Sequence, residues 1–477
     1  MARRFDHRVA RVALVMAAML GATPGIAATP ADSGQARFRA LYQELIETDT
    51  SLSNGSCTLA AERMRARLVA AGYAPDAFRV VIPDAFPKQG NLVGRIIGTD
   101  AKAPAILLVA HIDVVEAKRS DWQRDPFKLV EENGYFYARG AIDDKAMAAS
   151  YVDALIRYRE ENFRPRRTIK LALTCGEETD SHFDGVEYLL KTDPDALKAG
   201  FALNEGGKGL LDEAGKPMSF GVQTGEKVYQ DFTLTAVAPG GHSARPTDDN
   251  AIVRLAAALV RIGAYKFPVH VVDGTKGFFA RSAPSYAGQV RTDMAAVGFG
   301  TADAATYARI AAGSPYWNAF LRTTCISTLI QGGHAENAQP QHAQANVNCR
   351  IMPGEDIASI ERQLVEQVAD SKVALKPAAA PGPQSPAPPL TRAVMDPIEK
   401  IAGEIWPGVP VIPTLSTGAT DGRFLNAAGI PTYGVSGVFV DPDGNGVHGL
   451  NERVRVKSLY DAREFLYRLV KAYGSAR

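Results

Sequence analysis

The sequence predicts an α/β protein with a largely parallel sheet, into which a separate α+β module is inserted. Short β-branched runs alternate with amphipathic stretches along the first part of the chain, as the strands and helices of a layered α/β fold do. Near Lys227 this order changes, and six prolines between Lys376 and Leu390 mark its return. Such a run suits neither a helix nor a central strand.

The chain opens on Arg3, Arg4, Arg8 and Arg11, an apolar run from Val12 to Ala22, and the small residues Ala27 and Ala28. That pattern predicts a secretory signal over residues 1–28, removed on export across the inner membrane to the periplasm. An uncleaved anchor is the alternative, disfavoured because a membrane span needs ~18 apolar residues or more and no stretch reaches that length. Phe38, Leu41, Tyr42, Leu45 and Ile46 then recur at helical spacing, and Thr58 to Gly72 forms a second amphipathic run. Strands are expected at Arg79 to Ile82, Leu92 to Ile97, Ile106 to Ala110, Thr168 to Thr174 and Phe201 to Leu203, with a helix from Lys145 to Arg159 among them.

Beyond Lys227 come a strand (Gln230 to Val237), a helix (Asn250 to Ile262) and a long variable region. Strands near Thr324 to Leu329 and Ala345 to Met352 follow, then a helix from Asp356 to Asp370. These patterns place one discontinuous domain at residues 29–224 and 377–477 and the inserted module at 225–376.

With 477 residues, 46% hydrophobic and 22% charged, the chain can bury more than one core. Its 53 Lys+Arg against 52 Asp+Glu leave no basic surplus for a nucleic acid. Loss of the signal removes four Arg and Asp6, giving 49 basic against 51 acidic residues. Cys57, Cys175, Cys325 and Cys349 lack CxxC spacing. Cys325 and Cys349, each in a β-like run, could pair in an oxidising compartment, buried free thiols being the alternative. Cys175 has no evident histidine partner and reads as core.

No HExxH helix exists, and Gly434-Val435-Ser436-Gly437-Val438 lacks the last glycine of a nucleophile elbow. The informative pattern is the placement of acids and histidines. His111 and Asp113 follow one apolar strand, Glu177 and Glu178 a second, and Glu205 a third, while Asp143 and Asp144 precede a helix. Binding crevices form at the carboxyl ends of strands in open α/β sheets, so these side chains can converge. Converging carboxylates repel by about 4 kcal/mol per pair at ~4 Å and an effective dielectric of ~20, and so require protons or cations. Imidazole with carboxylate suits zinc, or manganese and cobalt in its place. A two-metal hydrolase follows as the expectation.

The segments Val109 to Val115, Arg139 to Lys145, Gly176-Glu177-Glu178, Asn204-Glu205-Gly206-Gly207, Gly240-Gly241-His242-Ser243 and Val447-His448-Gly449 resemble the M20 metallopeptidase family, most closely its aminoacylase and carboxypeptidase S branch. The resemblance implies a discontinuous zinc-hydrolase domain with a mixed sheet flanked by helices, and a ferredoxin-like lid that also mediates homodimerisation. It implies that Asp143 bridges two divalent metals, most often zinc, with His111 and Glu205 completing one site and Glu178 and His448 the other. Glu177 would be the general base and Asp113 would orient His111. His242 would reach the partner subunit's active site and stabilise the oxyanion there. Arg350 would bind a substrate carboxylate, and Gly418, Thr420 and Asp421 would support the site.

The implied activity is hydrolysis of small peptides or N-acyl amino acids with a free carboxylate. A metal-dependent binding protein without turnover is the competing expectation, against which Glu177 argues. Blander roles stay open for His242 as a turn cap and for Arg350 as a surface arginine. Asp144 reads as an exposed helix-start residue, and His182, His270, His334 and His342 as structural. Glu116, Ala138 and Asn204 depart from the usual family residues without removing a ligand.

Overall fold

The computed structural model describes residues 30–179, 183–380 and 382–476. The expected signal at 1–28 and His182 lie outside them. A ten-stranded sheet forms the larger layer. Its centre is parallel: Ile169–Thr174, Ile106–His111, Phe201–Asn204 and Thr432–Gly434 lie side by side in one direction. Every residue of these four strands is buried, which is why they read as continuous apolar runs. Antiparallel strands flank the centre, with Asn91–Ile96 and Phe78–Val81 on one side and Pro217–Glu226 with Gly209–Leu211 on the other. The sheet is therefore mixed, and the largely parallel pattern describes only its middle.

Helix Lys145–Glu160 is buried on almost every face, between helices Pro30–Ile46 and Val456–Ser475. A helix enclosed on all sides is a core element, and Arg157 and Arg159 in its last turn meet the negative end of its dipole.

The smaller sheet is antiparallel throughout, in the order Thr324–Gly332, His342–Ile351, Val228–Val237, Val373–Pro377. Helices Ala251–Ala264 and Ile357–Val368 pack against it, begun by Asn250 and Asp356 side chains that accept from the first free backbone N–H groups. This β-α-β-β-α-β order is ferredoxin-like. Lys376 and Pro377 end its edge strand, a position that tolerates proline, and the other described residues of the proline-dense run form neither helix nor strand.

The region expected only as variable is helical: Asp273–Ser282, Gly288–Phe299, Ala304–Gly313 and Pro315–Leu321. Phe279, Met294, Ile310 and Phe320 share a core with Leu415, which belongs to strand Val411–Ser416 of the large sheet. These four helices thus brace against the large layer. All four cysteines are paired, Cys325 with Cys349 across neighbouring strands and Cys57 with Cys175. Cys175 is buried, as expected of a core residue, but it is half of a bridge that its sequence context did not announce.

Candidate active site

The three central strands deliver their chemistry to one edge because their register brings their ends together. His111 is the last residue of its strand and lies opposite Thr174. After Thr174 the chain turns through Cys175 and Gly176 into a short helical turn carrying Glu177 and Glu178. Gly176 has φ +98°, and a Cβ there would stand 2.1 Å from the Phe183 carbonyl oxygen, so only glycine makes this turn. Glu205 directly follows the third strand.

Asp143 turns one carboxylate oxygen to His111 Nε2 at 3.3 Å and the other to His448 Nε2 at 3.5 Å. Glu205 Oε1 lies 4.0 Å from His111 Nε2, and Glu178 Oε1 lies 3.0 Å from His448 Nε2. Glu177 joins the same cluster: its ligand atom and those of His111 and Glu205 lie within 4.8 Å of one another. Behind His111, Nδ1 is 3.1 Å from the Asp113 carbonyl oxygen and 3.6 Å from Asp113 Oδ1. Asp113 Oδ2 accepts the Glu178 backbone N–H at 3.0 Å, so this one residue steadies both His111 and the Glu178 turn. His448 sits in the left-handed region at φ +58°, uncommon for a residue with a side chain.

The electrostatics are those of crowded acids. Burial, and after it the charge of Asp143, pushes Glu205 up to about 8. Burial and then Glu205 raise Glu177 well above the usual carboxylate range. Hydrogen bonds to Asp143 and Glu178 push His448 up to about 10. Burial opposes ionisation of Asp143, yet Lys208, His111 and His448 together hold it well below its ordinary value. Asp113 Oδ1 and Asp144 Oδ2 are buried without a hydrogen-bond partner. An oxygen and imidazole donor set with this excess of negative charge fits divalent cations. His111, Asp143 and Glu205 would hold one, and Asp143, Glu178 and His448 the other.

Asp144 corrects an expectation. It is 3% exposed and its side chain caps nothing. The helix it precedes starts inside the core beneath the cluster, so Asp144 is enclosed with it, and burial raises its pKa. His242 is exposed in the two-residue strand Gly241–His242, its Nδ1 accepting from the Ala244 N–H at 3.0 Å. Among the described residues of this single chain it has no hydrogen bond or ion pair to the cluster. Arg350 lies on the small sheet with its guanidinium 4.6 Å from the Tyr229 ring centroid and no salt bridge to any described carboxylate. Gly418 is exposed and donates its N–H to Ser416 Oγ. Asp421, by contrast, is buried behind the site and accepts from the Thr174 hydroxyl at 2.7 Å.

The amino-acid sequence matches the family described as Peptidase family M20/M25/M40 over residues 107–472. The chain belongs to this family. As an M20 protein it is a hydrolase with the family's α/β fold. It is 27% identical over 387 residues to the N-fatty-acyl-amino acid synthase/hydrolase PM20D1.1 of Danio rerio, covering 79% of this chain and 74% of that one. The M20 metallo-carboxypeptidase Sso-CP2 of Sulfolobus solfataricus superposes with a TM-score of 0.63 at 19% identity, covering 92% of this chain and 99% of that one. The YXEP protein of Bacillus subtilis, described as a dinuclear metal binding peptidase, gives 0.57 at 12% identity over 92% of this M20 chain and 98% of its own.

Proposed function

We propose that this M20 hydrolase is a two-metal amide hydrolase acting on small peptides or N-acyl amino acids with a free carboxylate. The observation that carries the reading is Asp143, whose two oxygens face two histidines 337 positions apart in sequence (448 − 111), each with a second carboxylate beside it. Cations bound there would polarise the amide carbonyl and acidify water; zinc fits the donor set, with cobalt or manganese as replacements. Glu177 receives the proton of the attacking water and later delivers it to the departing amine. Burial and the neighbouring Glu205 raise its carboxyl above the usual carboxylate range, which favours its holding that proton between the two transfers. Arg350, a guanidinium with no salt bridge to a carboxylate among the described residues, is suited to a substrate carboxylate.

Ile326, Leu329 and Ile330 on the edge strand, with Val253 and Val260 on the adjoining helix, are each more than 60% exposed. An unpaired apolar edge of this kind supports a homodimer through the lid, with His242 serving the partner's site. Two disulfides support export to an oxidising compartment such as the periplasm. The test is metal-stripped protein assayed on dipeptides and N-acyl amino acids with defined cations restored. Hydrolysis should return only with divalent metal and be absent in Glu177→Gln; metal-independent hydrolysis would refute the reading.

A further inference from the structure

Glu452 is fully enclosed, 0% exposed, four residues after His448. One carboxylate oxygen accepts from Arg139 Nη1 at 2.7 Å and from the Gly140 N–H at 3.0 Å. The other accepts from the Ile142 N–H at 2.9 Å and the Asp143 N–H at 3.3 Å. One side chain thus holds the whole approach of the loop to Asp143. Arg139 completes the arrangement: while Nη1 holds Glu452, Nη2 donates to the Gly449 carbonyl at 2.9 Å, one peptide beyond His448. The guanidinium lies 5.1 Å from the Trp122 ring centroid, which limits its freedom. The Ala138 N–H donates to the Glu452 carbonyl, joining the same two segments through the backbone.

The two segments lie more than 300 positions apart in the chain, and each carries a side chain that faces Asp143 or belongs to it. His448 is also held in the left-handed region, a conformation that persists only when its surroundings enforce it. We propose that Arg139 and Glu452 are positioning residues that fix the Asp143 loop and the His448 turn to one another, and so set the spacing of the two cation sites. This rests on the two-metal reading above. Groups that orient ligands from behind usually change metal affinity by 10- to 100-fold when altered, so the effect is large enough to separate from a loss of folding.

Two full-length variants act on different parts of the clasp. In Glu452→Gln only one oxygen remains to accept, and the new amide NH2 faces N–H donors. Because Asp143 serves both sites, both cations should bind at least 10-fold more weakly. In Arg139→Lys the charge opposite Glu452 is kept, but one ammonium cannot span Glu452 and Gly449. The cation at Glu178 and His448 should then weaken at least 10-fold and the one at His111 and Glu205 less than threefold.

The readouts are chelator competition with Co2+, the visible spectrum of the cobalt protein, and thermal unfolding of the metal-free form. Support is two tight sites in the native protein, one weakened in Arg139→Lys and both in Glu452→Gln, with altered cobalt spectra and kcat falling more than KM changes. The inference is overturned if both variants bind cobalt as the native protein does, or if affinity falls only where the metal-free protein is unfolded. A native protein that binds fewer than two ions would instead overturn the two-metal reading, and this inference with it.

Discussion

Glu226 and Lys227 stand side by side where the chain leaves the large sheet for the small one, and both are buried. Burial pushes Glu226 up to about 8 and Lys227 down to about 7, Lys227 Nζ donating to the Arg322 carbonyl at 2.8 Å. A raised carboxyl supports the fold fully below its unfolded value near 4.5 and loses that support as pH climbs through about 8. Lys227 runs the other way, supporting the fold above its unfolded value near 10.5 and losing that support as pH falls through about 7. Glu226→Gln should therefore add on the order of 3 kcal/mol at pH 7, about 2.5 pH units into the Glu226 window, and much less at pH 4.5. Urea unfolding at the two pH values checks this, and an equal gain at both would contradict it. At this scale His111, Asp143, Glu178 and Glu205 were legible as candidate ligands because each follows an apolar run or stands just before a helix, whereas His448 was pointed to only by the family resemblance. Asp144, Arg139 and Glu452 were not, since burial and a partner more than 300 positions away decide their roles.

The turn that carries Glu177 is fastened at its base to the first residue of helix Cys57–Ala70 by the Cys57–Cys175 bridge, which spans 118 residues of sequence. Closing so long a loop restrains the unfolded chain, and such bridges contribute about 2–4 kcal/mol. Cys57→Ser with Cys175→Ser should cost about that much by urea unfolding and should lower turnover as the Glu177 turn loosens. Cys325→Ser with Cys349→Ser joins strands already paired, so stability should fall without a comparable change in the activity of the folded protein. Equal activity in both double variants would contradict the anchoring role. The bridge was hidden because nothing local links two cysteines in different elements. The helices from 273 to 321 were hidden for another reason: Gly277, Gly288, Gly298 and Pro315 interrupt the apolar period, and each helix buries only a few side chains, so the stop signals outweighed the pattern.

Over the whole molecule the sheets were legible because buried parallel strands and alternating antiparallel strands write different patterns, whereas the proposed contact between subunits rests only on exposed apolar side chains. Ile326→Asp with Leu329→Asp places charge on the lid edge strand, where both native side chains are about two-thirds exposed. Light scattering should show a dimer becoming a monomer, with turnover falling at least 10-fold as His242 loses its partner site. A fully active monomer would contradict the shared site. The central claim is that five side chains from across the chain surround two cations. Anomalous diffraction from crystals grown with zinc tests it most directly. Two peaks ~3.5–4 Å apart, one on each side of the Asp143 carboxylate, are the expected result. No anomalous peak between His111 and His448, in a protein that hydrolyses its substrate, would contradict the account.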